Sequence, residues 1–149
     1  MDLMTTVAVL AVVMAIGVPA MAGLRQQTQA TTALSLLTTS LASARITAIN
    51  RNRPVAVCPS QDGRRCRTDL TWDGGWIIYL DTARKKQPAQ VKDVLQHVQA
   101  AGGVAIRGTV GRHLVRYLPD GRSSGSNVSL SLCSVTHSNL VGRVVVSNG

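Results

Sequence analysis

The chain has 149 residues and a net charge of +9, from 16 Lys and Arg against seven Asp and no Glu. That length leaves room for one domain of ordinary size once an apolar N-terminal stretch is set aside. Two Trp, two Tyr and no Phe are too few aromatic rings for a protein that stacks bases along a single strand. The charge is uneven. Residues 1–50 hold two Arg and one Asp, whereas residues 51–149 hold 14 Lys and Arg and six Asp. The later part therefore suits an anionic lipid, an acidic protein or nucleic acid, or is a solvated basic surface.

In chain order, residues 3–24 contain no charged side chain; Asp2 precedes the run and Arg25 closes it. Twenty-two such residues make a helix of roughly 33 Å, enough to cross the hydrocarbon core of a bilayer. A secretory signal peptide has a basic start and a shorter apolar core. No basic residue precedes this run, so it reads as a retained anchor, with residues 1–25 as the transmembrane half of a longer helix. Pro19 inside it is expected to kink the helix rather than end it, because lipid offers the backbone no alternative partners.

Helical spacing continues through Leu34, Leu37, Leu41, Ala44 and Ala48, the apolar stripe of an amphipathic helix that needs a partner surface. Residues 26–53 form this second half. The helix is expected to stop near Asn50 to Asn52, since Pro54 disfavours helical backbone at Arg53. From residue 54 the period becomes that of strands. Strands are expected over residues 55–58, 76–80, 94–98, 104–106, 114–118, 128–133 and 141–146. The turns Asp73-Gly74-Gly75 and Pro119-Asp120-Gly121-Arg122 punctuate them. Residues 83–90 and 123–127 read as polar loops. One long helix followed by a hairpin-connected antiparallel sheet, residues 54–149, is an α+β fold.

No catalytic or metal motif emerges. His97, His113 and His137 lack ligand spacing and read as surface or strand-edge residues. No nucleophile elbow, zincin pair or phosphate-cradling glycine loop is present. Trp72 and Trp76 read as packing residues beneath the sheet. Cys58 and Cys66 flank a short loop that suits a bridge; Cys58 with Cys133 is the alternative if their strands are neighbours. One thiol is left over in either case.

These features, taken in order, resemble the type IV pilins and type II secretion pseudopilins, whose N-terminal helix carries an acid near its start and a proline further on. Asp2-Leu3-Met4-Thr5 and Pro19 match those positions. Ala44-Arg45-Ile46-Thr47-Ala48-Ile49-Asn50-Arg51-Asn52-Arg53-Pro54-Val55 resembles the helix end of the FimT/GspH group of minor pilins and H-type pseudopilins. Cys58-Pro59-Ser60-Gln61-Asp62-Gly63, Cys66, Trp72, Gly75-Trp76, Asp81, Tyr117 with Asp120-Gly121-Arg122, and Leu132-Cys133 continue the match. The resemblance implies a filament subunit without enzymatic activity or cofactor. It would be held in the inner membrane by one pass with residues 54–149 in the periplasm, and would stand in or at the tip of a pilus or secretion filament. Its partners would be other pilins or pseudopilins and the assembly platform, with Asp2 and Pro19 as assembly residues. It also places Met1 just inside the mature protein, and prepilin peptidase would be a partner if a leader lies upstream.

Some members of the group bind DNA through a C-terminal Gly-Arg-x-Arg. Here Gly142-Arg143-Val144-Val145 holds the first Arg but not the second, and Arg143 to Val146 aligns with the strand before that motif, which would then begin at Gly149. DNA uptake is therefore the alternative reading. Arg64, Arg65, Arg67, Arg84, Lys85, Lys86 and Arg143 are its candidate phosphate contacts.

Overall fold

A 50-residue helix, α1 (Asp2–Arg51), leads into seven strands. The computed structural model describes residues 2–100, 102–125, 127–135 and 138–147, with the backbone alone at residues 2 and 20. The helix runs without interruption through Pro19. Its C-terminal end closes as a Schellman motif. The Arg53 N–H donates to Ala48 O and the Asn52 N–H to Ile49 O, both at 3.2 Å, with Asn52 in the left-handed region at φ 49°. Pro54 follows, and the chain turns into strand.

The strands form two antiparallel sheets rather than the single hairpin-connected sheet expected from the strand pattern. In the four-stranded sheet, β3 (Val94–Val98), β2 (Trp76–Leu80), β1 (Val55–Pro59) and β5 (Val115–Tyr117) lie in that order. The three-stranded sheet has the order β4 (Val104–Arg107), β6 (Val128–Ser134), β7 (Leu140–Val146). The β1–β5 and β4–β6 pairs join strands distant in the chain. Periodicity records which face of a strand is buried but carries no information about which strand lies beside it.

Both sheets pack on the C-terminal half of α1. Ala30, Ala33, Leu37, Leu41, Ala44 and Ala48 are buried against Val55, Val57, Trp72, Trp76, Ile106, Leu130 and Leu132. The small alanines let the helix lie close to the strands, and Leu37 and Leu41 are the large buried side chains of the stripe. Trp72 and Trp76 are fully buried, with ring centroids 6.4 Å apart and planes tilted by 47°. On the far face of the four-stranded sheet a second cluster, Ala56, Cys58, Ile77 and Tyr79, packs with Cys66, Val94 and Leu114. β1 is therefore buried on both faces and reads as a continuous apolar run, whereas β6 buries alternate residues.

Candidate assembly helix and basic loops

The two halves of α1 differ in what covers them. The stripe from Ala30 to Ala48 is buried in the domain. The described side chains of residues 3–24 touch no core, and Leu3, Met14 and Leu24 are exposed at 81%, 64% and 65%. The most apolar 18-residue window has a mean hydropathy of 2.4 and is 0% buried, so the helix is long and apolar enough to cross a membrane. Asp2 opens the helix and Pro19 lies within it; the Asp2 side chain lies outside the described residues.

Cys58, at the end of β1, is joined to Cys66 by a disulfide with Cα atoms 5.5 Å apart. Cys133 is free and half-buried on β6, opposite Ala105 and Leu140. Asp62 organises the loop that the bridge closes. Its Oδ1 accepts the Arg64 N–H at 2.8 Å, the Arg65 N–H at 3.0 Å and the Ser60 hydroxyl at 3.2 Å. These amides, Arg64 first, hold the Asp62 carboxyl below its ordinary pKa. Gly63 sits at φ +70° against the His97 ring, where a Cβ would lie 2.7 Å from Nδ1.

Gln87 joins this loop to the next basic one. The Cys66 N–H donates to Gln87 Oε1 and Gln87 Nε2 donates to Cys66 O, both at 2.9 Å. Exposed Arg64 and Arg65 are thereby brought beside the loop that carries exposed Arg84, Lys85 and Lys86. Arg84 and Lys86 take left-handed backbone, φ 52° and 63°. Arg67 is committed elsewhere: it pairs with Asp69 and donates from Nη1 to Gln61 Oε1 at 3.0 Å. That ion pair lowers the Asp69 pKa. Arg143 is exposed on β7 of the other sheet, opposite Ser131, and is not gathered with the loops.

The sequence did not reveal the buried ion pair behind these loops. Asp81 (side chain 1% exposed) accepts from Arg116 (13%) through one oxygen, Oδ2, with Nε at 2.7 Å and Nη2 at 2.5 Å. Asp81 Oδ1 and the nearby Tyr79 hydroxyl are buried without partners. Burial, followed by the Asp81 charge, pushes the Tyr79 hydroxyl well above its ordinary pKa. Their pairing needs β1 to lie between β2 and β5, which no local signal announces. His113 also departs from expectation. It is half-buried with Nδ1 buried and unpartnered, whereas His97 is exposed on β3. His137 and Gly149 lie outside the described residues. No group of three metal-ligating side chains occurs among the described residues.

A long helix with a free apolar half and a β domain clamped on its other half defines the type IV pilin-like class of protein. The model of the family described as type II transport protein GspH matches residues 33–149. The chain belongs to the GspH family, a group of pilin and pseudopilin subunits that are generally non-enzymatic. Among solved structures it is similar to the type IV minor pilin FimU of Pseudomonas aeruginosa strain PAO1 in two crystal forms. Both are 14% identical, with TM-scores of 0.55 and 0.53, covering 70% of this chain and 71% and 74% of those. The minor pseudopilin EpsH from the type 2 secretion system of Vibrio cholerae is 18% identical over 76% of this chain and 85% of its own, with a TM-score of 0.49. No curated protein matches the chain in sequence.

Proposed function

We propose that this chain is a minor pilin or pseudopilin, anchored in the inner membrane by residues 1–25 and assembled into a filament through the same segment. Residues 26–53 then lie on the domain, and residues 54–149 project into the periplasm. The observation that carries this reading is the continuous helix whose apolar half is uncovered while one stripe of its other half is buried in the core. An uncovered apolar face of that length needs lipid, or the matching helices of neighbouring subunits once the chain leaves the membrane.

An acid at the start of the apolar run is costly in lipid unless it is paired. Pairing with a neighbour's N-terminal amine offsets that cost and sets the axial register. Asp2→Ala is expected to abolish assembly while membrane fractions retain the subunit at its usual level. Unchanged pilus or secretion function in that variant would overturn the assembly role.

A second reading, a DNA-binding minor pilin acting in DNA uptake, draws on the basic loops that Gln87 ties together. Phosphate contacts by Arg64, Arg65, Arg84, Lys85 and Lys86 would make affinity fall steeply with salt. Binding by the full chain in detergent that weakens with added salt, and again when Arg64 and Arg65 become Ala, supports it. No detectable binding to duplex DNA at low salt removes it.

A further inference from the structure

On the far face of the four-stranded sheet, beyond Leu114, lies a cavity of about 100 Å³ walled by Lys86, Arg112, His113 and Arg116. We propose that this cavity is a binding site for a compact phosphate group. Three cations line it, and the carboxylate paired with one of them, Asp81, neutralises a single charge. The remaining charge is close to +2, which matches a phosphate dianion better than a carboxylate.

Arg116 and Arg112 are each held by hydrogen bonds, whereas Lys86 is exposed on its loop. Arg116 is oriented by the buried Asp81, which engages only Nε and Nη2. Arg112 is tethered by Nη1 to Gly125 O at 2.6 Å. His113 is also part of the wall. A planar guanidinium held by one edge keeps its remaining donors for an oxyanion. The volume admits a tetrahedral oxyanion but not a stacked base, and the wall contains no aromatic ring other than His113.

The source of the phosphate follows from position. Ala56 pairs with Arg116 at the strand that follows the end of α1, and the helix from residue 25 to residue 51 spans roughly 39 Å. The cavity therefore stands far from the bilayer surface, which favours a free or soluble phosphate compound over a headgroup of that membrane. This choice of source, though not the site, rests on the membrane-anchored reading.

The test is a titration of the full chain in detergent micelles with inorganic phosphate at constant ionic strength, followed by backbone amide shifts. We expect saturable shifts at residues 111–116 with a dissociation constant on the order of 1 mM. Lys86→Ala and Arg112→Ala are each expected to weaken binding about tenfold, with Arg112→Lys restoring part of it and Arg143→Ala, on the other sheet, leaving it unchanged. Retained shifts elsewhere in the spectrum show that each variant is folded. A linear response far above that concentration overturns the site. So does equal weakening by Arg143→Ala, or binding of duplex DNA without saturable binding of phosphate. Phosphatidylglycerol vesicles distinguish the source: competition at the same residues identifies a headgroup, and its absence a soluble phosphate; either leaves the site intact.

Discussion

Asp81 shows how much a single side chain can cost when its partner stays behind. Its carboxylate is almost wholly buried and compensates an Arg116 guanidinium that is itself mostly buried. Replacing Asp81 by Asn keeps the shape but leaves Arg116 without a counter-charge, an expected loss of about 3 kcal/mol in urea denaturation. Replacing both, Asp81→Leu with Arg116→Met, is expected to cost far less, because no uncompensated charge remains. Three carboxylates at the surface have lowered pKa values. Asp62 is held below its ordinary pKa by the Arg64 and Arg65 amides, Asp69 by Arg67, and Asp120 by the Arg122 amide. A depressed folded-state pKa contributes stability above the unfolded value of about 3.9 and loses it as pH falls through the folded value. The melting temperature is therefore expected to hold from neutral pH down to about 4 and to decline below it. A melting curve independent of pH between about 4 and 2 would contradict this.

At the scale of elements, the β2–β3 hairpin depends on one glycine. Gly75 donates to Trp72 O, lies at φ +107°, and would place a Cβ 2.3 Å from Val98 O. An L side chain there meets both backbone strain and a carbonyl that cannot move without breaking the pairing of Trp76 with Val98. Gly75→Ala is expected to destabilise the chain by about 2 kcal/mol or more. Gly102→Ala, with nothing within 4 Å of its Cβ, is expected to change the denaturation midpoint little. The helix shows a second elemental division: its apolar stripe is legible by spacing, and among its described apolar side chains those that enter the core lie between Ala30 and Ala48.

For the whole molecule, the core is complete without the first helix half. No buried side chain precedes Ala30 among the described residues, and Gln26, bonded to Ser134, is where contacts with the domain begin. A chain comprising residues 26–149 is expected to be soluble, monomeric and cooperatively folded, with its melting temperature within a few degrees of the full chain in detergent. Loss of cooperative unfolding on removing residues 1–25 would show that the apolar half supports the fold. The buried core of the domain thus draws on one half of the helix and leaves the apolar half uncovered.

Much of this protein was determined by local chemistry. The long helix follows from 3.6-residue spacing, its end from Asn52 and Pro54, and the strands from alternating or continuous β-branched runs bounded by Gly and Asp. Each of these signals lies within a few residues of the backbone it controls, so neighbours in the chain suffice to specify it. The tertiary structure alone decided which strands lie side by side, dividing one expected sheet into two. It also brought Asp81 to Arg116, Gln87 to Cys66, and Lys86, Arg112, His113 and Arg116 around one cavity. Those juxtapositions join residues far apart in the chain, 35 positions between Asp81 and Arg116. They arise from closing both sheets on a single helical stripe, a condition of packing that no run of neighbouring residues can encode.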